Sequence, residues 1–521
     1  MRKLLFLSCI FLIPGMLFAQ SEAEQKALRD IERSMAIIDA TWQTSIKGSK
    51  DNLYMADQYN TKTGWTSGSS DVWPYTAAIE AHNSLLEALE EAKDLAPDMY
   101  DSNFNQYKEQ LEVLIDNLEY YRGTYKLSSY ATSNKECSPY AVPRASQRGK
   151  ANVTGILNVY DDQMWLSREL IRAYDITDNP EYLELAAYLA DYVLEGWDCW
   201  RDENGEEYGG ITWGPGYNSK HACSNAPIIQ PLVWLHDRYA DSGENVDYYF
   251  RDEDNAVTSV NIPRDEYYLE FAKKIYDWQK EKLLHPSGVY WDMMGADGKI
   301  EVSRGYRQHV DNGGPTGAFY SYNTGTMIGG GAELYRVTGD ETYREDINDA
   351  AKSGLNTFAT YKRNLNGYDF KTDNNAANGF NTWFNDVFFR GCVDALPYAD
   401  NTAAENTISS FQNNLDYAFE NHNRGNMLPI KLIDGWGDEE ITKGFHQFTF
   451  ASQYALLAKN LLESEKEEAS VESLYSPDEA DCNRSIYSLT GVKIGDKETK
   501  LDTLPNGIYI IGNKKIKIEN R

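Results

Sequence analysis

"AYDITDNPEY", residues 173–182, aligns without a gap on "LYRVTGDETY", residues 334–343. Each reads as the end of one helix, a tight polar turn and the start of the next. A second echo links "YLELA" at 182–186 to "YLEFA" at 268–272. Recurring helical hairpins bury their apolar faces only against neighbours, so the repeat predicts a closed stack of such pairs. Working outward, the 3.6-residue apolar period marks about twelve helices between Ser21 and Ser464. They run approximately over 21–46, 71–95, 99–122, 160–176, 179–197, 224–241, 263–284, 322–337, 340–362, 381–399, 404–422 and 444–464. Few stretches read as strand. Six pairs close into an all-α (α/α)6 toroid whose inner helices line a mouth.

The even-numbered helices begin with polar and aromatic motifs. They are "DVWP" (71–74), "YDDQ" (160–163), "CSNAP" (223–227), "YSYNTG" (320–325), "NTWFND" (381–386) and "GFHQF" (444–448). Alternate helices of a toroid run the same way, so all six starts are expected to surround one end. That predicts a single cleft built from distant segments.

Composition bounds what the cleft takes. The chain has 521 residues, 41% of them hydrophobic, enough for a sizeable core. Its net charge of −30 repels nucleic acid and anionic membranes, so neither is expected as a partner. A neutral polymer suits it better, and 37 Tyr and 12 Trp offer faces for sugars. Residues 1–19 read as a secretory signal: Arg2 and Lys3, an apolar run over 4–13, and Leu17-Phe18-Ala19 at the cleavage end. Export to periplasm, cell surface or medium follows, and no later segment is long enough to span a bilayer. Residues 20–464 form the helical domain and 465–482 a charged linker. Residues 483–521 form a small β-rich module, with turn signals at Asn506-Gly507 and Gly512-Asn513. Cys137, Cys199, Cys223, Cys392 and Cys482 are too widely spaced for a disulfide framework or zinc site and read as buried thiols. No HExxH, Walker loop, dinucleotide fingerprint or GxSxG is present, and no metal or cofactor is expected.

Asp161 and Asp162 carry the chemistry. A carboxylate pair opening a helix is commonly a cap. Here it is flanked by Tyr160, Gln163 and Trp165 and lies among the converging motifs. Glycoside cleavage needs one carboxylate and one carboxylic acid, about 5–5.5 Å apart in retaining enzymes. Adjacent residues meet that spacing more readily than the longer inverting one. Their repulsion separates their ionisations and keeps one protonated near neutral pH. Around them, "GGITWGPGYNSKHACSN" (209–225) offers Trp213 as a stacking platform and Lys220 and Asn225 as hydroxyl ligands. Asp292 in "SGVYWDMMGADG" and Tyr322 and Asn323 at a helix start complete the candidates. "GGG" at 329–331 reads as close helix packing, and Arg390 as a core ion pair.

"YDDQMWLSRELIRAYDITDNPEYL", "GGITW" followed by "K" and "SN", "GVYWD" and "YNTGTMIGGGAELYRVTGD" together resemble bacterial glycoside hydrolase family 76. The resemblance covers roughly residues 25 to 464. It implies an (α/α)6 fold and endo-hydrolysis of α-1,6-mannan with retention, without a metal. It also implies Asp161 as nucleophile and Asp162 as general acid/base. Trp213, Asn225, Asp292 and Asn323 fall in stretches similar to the family's substrate cleft. The expected partner is α-mannan, bound by a monomer. "IYSLTG" and "LPNGIYII" are similar to C-terminal sorting modules of secreted Bacteroidetes proteins. Two other readings share the scaffold: a non-catalytic mannan-binding protein, and another (α/α)6 enzyme such as an inverting hydrolase or an epimerase using His446.

Overall fold

A computed structural model describes residues 20–295, 298–370, 381–437, 440–474, 486–488, 493–495, 507–511 and 514–518. Among them are twelve α-helices: α1 (Glu22–Ser45), α2 (Val72–Glu91), α3 (Pro97–Asn117), α4 (Tyr160–Thr177), α5 (Pro180–Leu194), α6 (Ile229–Tyr239), α7 (Arg264–Leu283), α8 (Ser321–Thr338), α9 (Glu341–Phe358), α10 (Asn381–Ala395), α11 (Ala403–His422) and α12 (Gly444–Leu474). Each corresponds to one of the twelve periodic segments, and the architecture is the (α/α)6 ring that the repeat predicts.

The repeated turns explain why helices reverse where they do. Asp178 ends α4 with φ 56°, and Gly339 ends α8 with φ 68°. Both are left-handed positions that halt a helix, and glycine occupies one without strain. The next residue caps the following helix: Asn179 accepts from the Glu181 amide at 3.1 Å, and Asp340 from the Thr342 amide at 2.9 Å. The preceding threonines, Thr177 and Thr338, bond back to Ala173 and Leu334 at 2.6 Å each. One turn chemistry is therefore used twice, and the sequence echo is its imprint.

The chain divides into two compact units, residues 30–460, and residues 1–29 with 461–521. In the larger unit the even helices form the inner ring. Of the 20 residues of α2, 16 are buried, against five of 21 in α3. A helix buried nearly all round lies between other layers, whereas an amphipathic one covers the outside. Successive even helices from α2 to α10 touch one another. The ring closes through α12, where Ser84 and Ser452 share a hydrogen bond of 3.0 Å. In the smaller unit, a four-stranded antiparallel sheet runs in the order Lys493–Gly495, Ile486–Ser488, Gly507–Ile511, Lys514–Ile518. The helix expected to stop near 464 continues to Leu474. The signal segment, Cys9, Cys482, residues 475–482 of the expected linker and the two turn signals other than Gly507 lie outside the described residues.

Two features depart from the sequence expectation. Helix α6 begins at Ile229 rather than near 224, because Asn225 (φ −129°, ψ −78°) breaks the helical path and two short 3-10 turns precede it. Residues 245–263, to which the sequence reading assigns no strand, form a hairpin of Asn245–Arg251 against Val257–Pro263.

The α8–α10 crossing is set by small residues. A Cβ on Gly325 would sit 2.5 Å from the Phe388 Cα, and one on Gly391 would sit 2.4 Å from the Gly325 carbonyl oxygen. Within the Gly329–Gly331 run, Gly330 and Gly331 lie equally close to Ile229 and Ile347. Gly325→Ala is expected to destabilise the fold by about 1–3 kcal/mol, seen as a lower midpoint of thermal or urea unfolding. An unchanged midpoint would mean that the two helices part without cost.

Candidate active site

The six even-helix starts meet at one end. Trp73, opening α2, packs on Trp383 and Phe384 of α10 (ring centroids 5.1 and 5.9 Å) and on Phe445 of α12 (5.3 Å). Phe384 stacks on Tyr322 of α8 at 4.2 Å, and Trp165 of α4 meets Trp383 edge-on at 4.7 Å. Cys223, in the turn leading to α6, interacts with both Tyr322 and Asp161. The connections entering the even helices are long: 46–71, 118–159, 195–228, 284–320, 359–380 and 423–443. Those leaving them are short apart from the 245–263 hairpin, and two consist of two residues each, 178–179 and 339–340. Loop material therefore collects at the end where the motifs converge.

Asp161 and Asp162 lie in the first turn of α4, but neither caps it. The cap position is Val159, which makes no side-chain cap bond. The Asp161 carboxylate accepts from the Asp162 backbone N–H at 3.0 Å and from the Trp213 indole N–H at 3.3 Å. Burial pushes Asp161 up to about 6, while the Trp213 and Cys223 side chains and the helix N–H groups pull it back towards the ionised form. Asp162 is 6% exposed. Its burial, then the charge on Asp161, then that on Asp71 push its carboxyl well above the usual range, with no such counterweight. The two acids titrate as a pair, and the pair gives up its first proton at Asp161.

A third acid faces the same space. Asp292, on the strand Trp291–Met294, is pushed up to about 6 by burial and is held back by Asn323. Asn323 is fully buried, and neither of its amide atoms has a well-formed hydrogen bond among the described residues. Tyr322 lies between this carboxyl and Cys223, close to both. The structure thus brings Asp161, Asp162, Trp213, Asp292, Tyr322 and Asn323 together.

Four other candidates are engaged in the walls rather than presented to a ligand. The Gln163 amide clamps Tyr140, donating to its carbonyl and accepting from its N–H, each at 2.9 Å. The Tyr160 ring is buried against Tyr192 and the Cα of Gly196. In place of the expected hydroxyl contacts, the Lys220 ammonium bonds Asp198 at 2.9 Å and the Gly209 carbonyl. The Asn225 amide accepts from the Ile211 N–H at 2.7 Å and donates to the Ile211 and His221 carbonyls at 2.9 and 2.7 Å. These bonds fold the 209–225 loop so that Trp213 reaches Asp161. The face of Trp213 also stacks on His221 at 4.6 Å. His446 is buried, with no exposed surface for a substrate.

Sequence reasoning missed Cys223 and Asp71 as site residues, although both stand in the converging motifs. It also missed Asp198 as the anchor of Lys220 and of His309, whose Nδ1 lies 2.8 Å from it. Beneath the aromatic floor, Trp383 donates to Glu80 at 3.1 Å, and Glu80 is ion-paired with Arg390. The charges continue through Arg168, Glu169, Arg172, Glu87 and Lys459. Arg390 is therefore a core ion pair. Among the described residues no group of His, Cys, Asp or Glu is placed to hold a metal ion, and no helix is long and apolar enough to cross a membrane.

Comparison with known proteins adds to this geometry. The sequence profile of Glycosyl hydrolase family 76 matches residues 38–240 and 260–470. The mannan endo-1,6-alpha-mannosidase DCW1 of Candida glabrata is 21% identical over 210 residues, 37% of this chain. The match spans only 39% of that relative's length. A family 76 mannosidase of Bacteroides thetaiotaomicron VPI-5482 superposes with a TM-score of 0.59 at 18% identity, covering 84% of this chain and 100% of that one. An inactive alpha-1,6-mannanase variant of Salegentibacter sp. HEL1_6 has two consecutive aspartates replaced by asparagine and alpha-1,6-mannotriose bound. It superposes with a TM-score of 0.51 at 20% identity, over 83% of this chain and 99% of that one. At these identities the solved structures establish the fold.

Proposed function

The chain belongs to glycosyl hydrolase family 76, and from that premise we propose that it is an exported, endo-acting α-1,6-mannanase that cleaves mannan with retention of anomeric configuration. The observation that carries this reading is the unequal surroundings of two adjacent acids, donors gathered at Asp161 and burial without them at Asp162. Asp161, with three donors around it, is the carboxylate that attacks the anomeric carbon. Asp162, kept protonated by burial and by its neighbour, gives its proton to the leaving glycosidic oxygen. A mannosyl ester forms on Asp161. The Asp162 carboxylate then takes a proton from water, the water displaces Asp161, and both acids return to their starting states. The relatives named for mannan cleavage, and the inactive double-asparagine variant holding mannotriose, support the same substrate and the same pair. Trp213 and Tyr322 supply ring faces, and Asp292 with Asn323 supplies hydroxyl partners. The strongly acidic surface suits a neutral polysaccharide, and the protein acts as a monomer after removal of residues 1–19.

Retention is tested on unbranched α-1,6-mannooligosaccharides by NMR of the first anomer released. The α-anomer is expected, and a β-anomer product would overturn the mechanism. The pH profile gives a second check. kcat/KM is expected to rise with pH to a limb near 6, where Asp161 ionises, and to fall again as Asp162 loses its proton. Trp213→Phe removes a donor that favours the ionised form of Asp161. Its limb should therefore move to higher pH, and a limb that stays put would separate Trp213 from the ionisation.

A further inference from the structure

The rings beside the paired acids continue outward along the mouth rim. The Trp213 indole, which donates to Asp161 at 3.3 Å, meets the ring of Tyr217, with centroids 4.6 Å apart. Both rings are half-buried. The Tyr217 hydroxyl donates to the Ile156 carbonyl at 3.3 Å, and the Ile156 side chain is 62% exposed. Among the described residues nine large apolar side chains are exposed. Six of them, Trp65, Ile156, Tyr208, Leu284, Val302 and Tyr361, stand in the connections that enter the even helices. Apolar surface open to a partner therefore collects at the mouth, and Ile156, the most exposed of the nine, adjoins the rings that lead to Asp161.

The turn that carries Tyr217 is built to stay in place. The Arg307 guanidinium, buried at 3% exposure, donates to the carbonyls of Gly214 at 3.5 Å, of Pro215 at 3.3 Å and of Tyr217. A Cβ on Gly214 would sit 2.4 Å from the Asn158 carbonyl oxygen, and one on Gly216 would sit 2.5 Å from that of Gly155. The turn thus lies directly on the segment that holds Ile156. A ring fixed before anything binds loses little freedom when a ligand stacks on it. The same two stretches narrow the ligand. Neither 151–160 nor 209–219 contains an Asp, Glu, Lys, Arg or His, in a chain of which 25% is charged. Apolar faces set in uncharged chain suit a neutral molecule that offers C–H bonds, as the face of a pyranose does.

We propose that Tyr217 and Ile156 form a further subsite on the rim, which takes a pyranose unit of the same polymer beyond the unit held at the paired acids. Binding energy from a remote unit can act at the reacting bond, so this subsite makes long stretches of mannan better substrates than short ones. The identity of the polymer rests on the mannan reading above; the strip and its fit to a neutral ring do not.

The test is kcat/KM on unbranched α-1,6-mannooligosaccharides of increasing length, compared between the unsubstituted full chain, Tyr217→Ala, Tyr217→Phe and Ile156→Ser. In the unsubstituted chain kcat/KM is expected to climb at the length whose added unit reaches Tyr217. Tyr217→Ala should cut that long-over-short ratio by about tenfold (~1.4 kcal/mol) and Ile156→Ser by about threefold, whereas Tyr217→Phe, which keeps the ring, retains most of it. An equal ratio in Tyr217→Ala and its parent overturns the proposal. So does a loss equal at every length, which would make Tyr217 a support of Trp213 and would move the acid limb near 6 as well. Should Tyr217→Ala fail to fold by circular dichroism, Ile156→Ser decides, since so exposed a side chain is exchanged without loss of packing, and an unaltered ratio there overturns the subsite. Failure of the mannan reading looks different, as an unsubstituted chain that cleaves none of the oligosaccharides, and it overturns the mannan occupant with it.

Discussion

Asp161→Asn and Asp162→Asn are each expected to leave a folded protein with little cleavage of α-1,6-mannan, initial rates falling by about 10²–10⁴ or more for the proposed acid/base and further for the proposed nucleophile. The two losses differ in kind. With an aryl mannooligoside that carries a good leaving group, Asp162→Asn should recover its first step, because such a group departs without a proton. Asp161→Asn should not, because no carboxylate remains to attack. Equal recovery in both variants, or full activity in either, would reassign the roles. Neither substitution should weaken the fold. A carboxyl whose folded-state pKa is raised costs stability above its unfolded value. For Asp161 that cost builds as pH rises from about 4 to about 6, and it persists above. Removing the charge relieves it, so the asparagine variants are expected to melt at or above the parent temperature at neutral pH.

The second large effect concerns stability. Glu80 is buried, accepts from the Trp383 indole and pairs with Arg390. Glu80→Leu removes the carboxylate nearest the buried Arg390 guanidinium and leaves it the charge of Asp394 and, 3.8 Å away, Asp386, which burial pushes up to about 8. Breaking a buried pair on one side costs about 3–5 kcal/mol, whereas replacing both partners by apolar residues of similar size is near neutral. Glu80→Leu should therefore lower the unfolding midpoint sharply, and Glu80→Leu with Arg390→Met should recover most of it. A double variant as weak as the single one would show that Glu80 acts chiefly through Trp383. Because Trp383 supports Trp73, Trp165 and Phe384, mannan affinity in the single variant should fall with the midpoint.

The ring was legible because its evidence is local and repeated. The turn after α4 and the turn after α8 use the same left-handed residue and the same side-chain cap, so the echo in the sequence is an echo in geometry. Asp161 and Asp162 stood out in the sequence through their neighbours Tyr160, Gln163 and Trp165 and their place among the converging motifs, whereas the fact that neither caps α4 is visible only in the folded chain. What sequence could not give is the destination of an amide. Gln163, Asn225 and Lys220 stand where ligands to a sugar would stand, yet each is held by backbone or by a carboxylate from a distant stretch: Tyr140, Ile211 and Asp198. Such pairings exist only once the long connections have folded. The 245–263 hairpin was overlooked although "VDYYF" and "VTSVNI" carry strand-forming residues on both sides of the turn at 252–256.

The uneven distribution of loop length has a consequence for how this scaffold can change. At one rim, two helix pairs are stitched by two residues each, so an insertion at either would break the left-handed stop and the side-chain cap that reverse the chain there. At the opposite rim, the stitching is already long and tolerates rewriting, because loop closure grows only slowly more costly with length. New specificities can thus arise by trading loops on one side while the other side preserves the barrel, a separation of what is kept from what is free to vary.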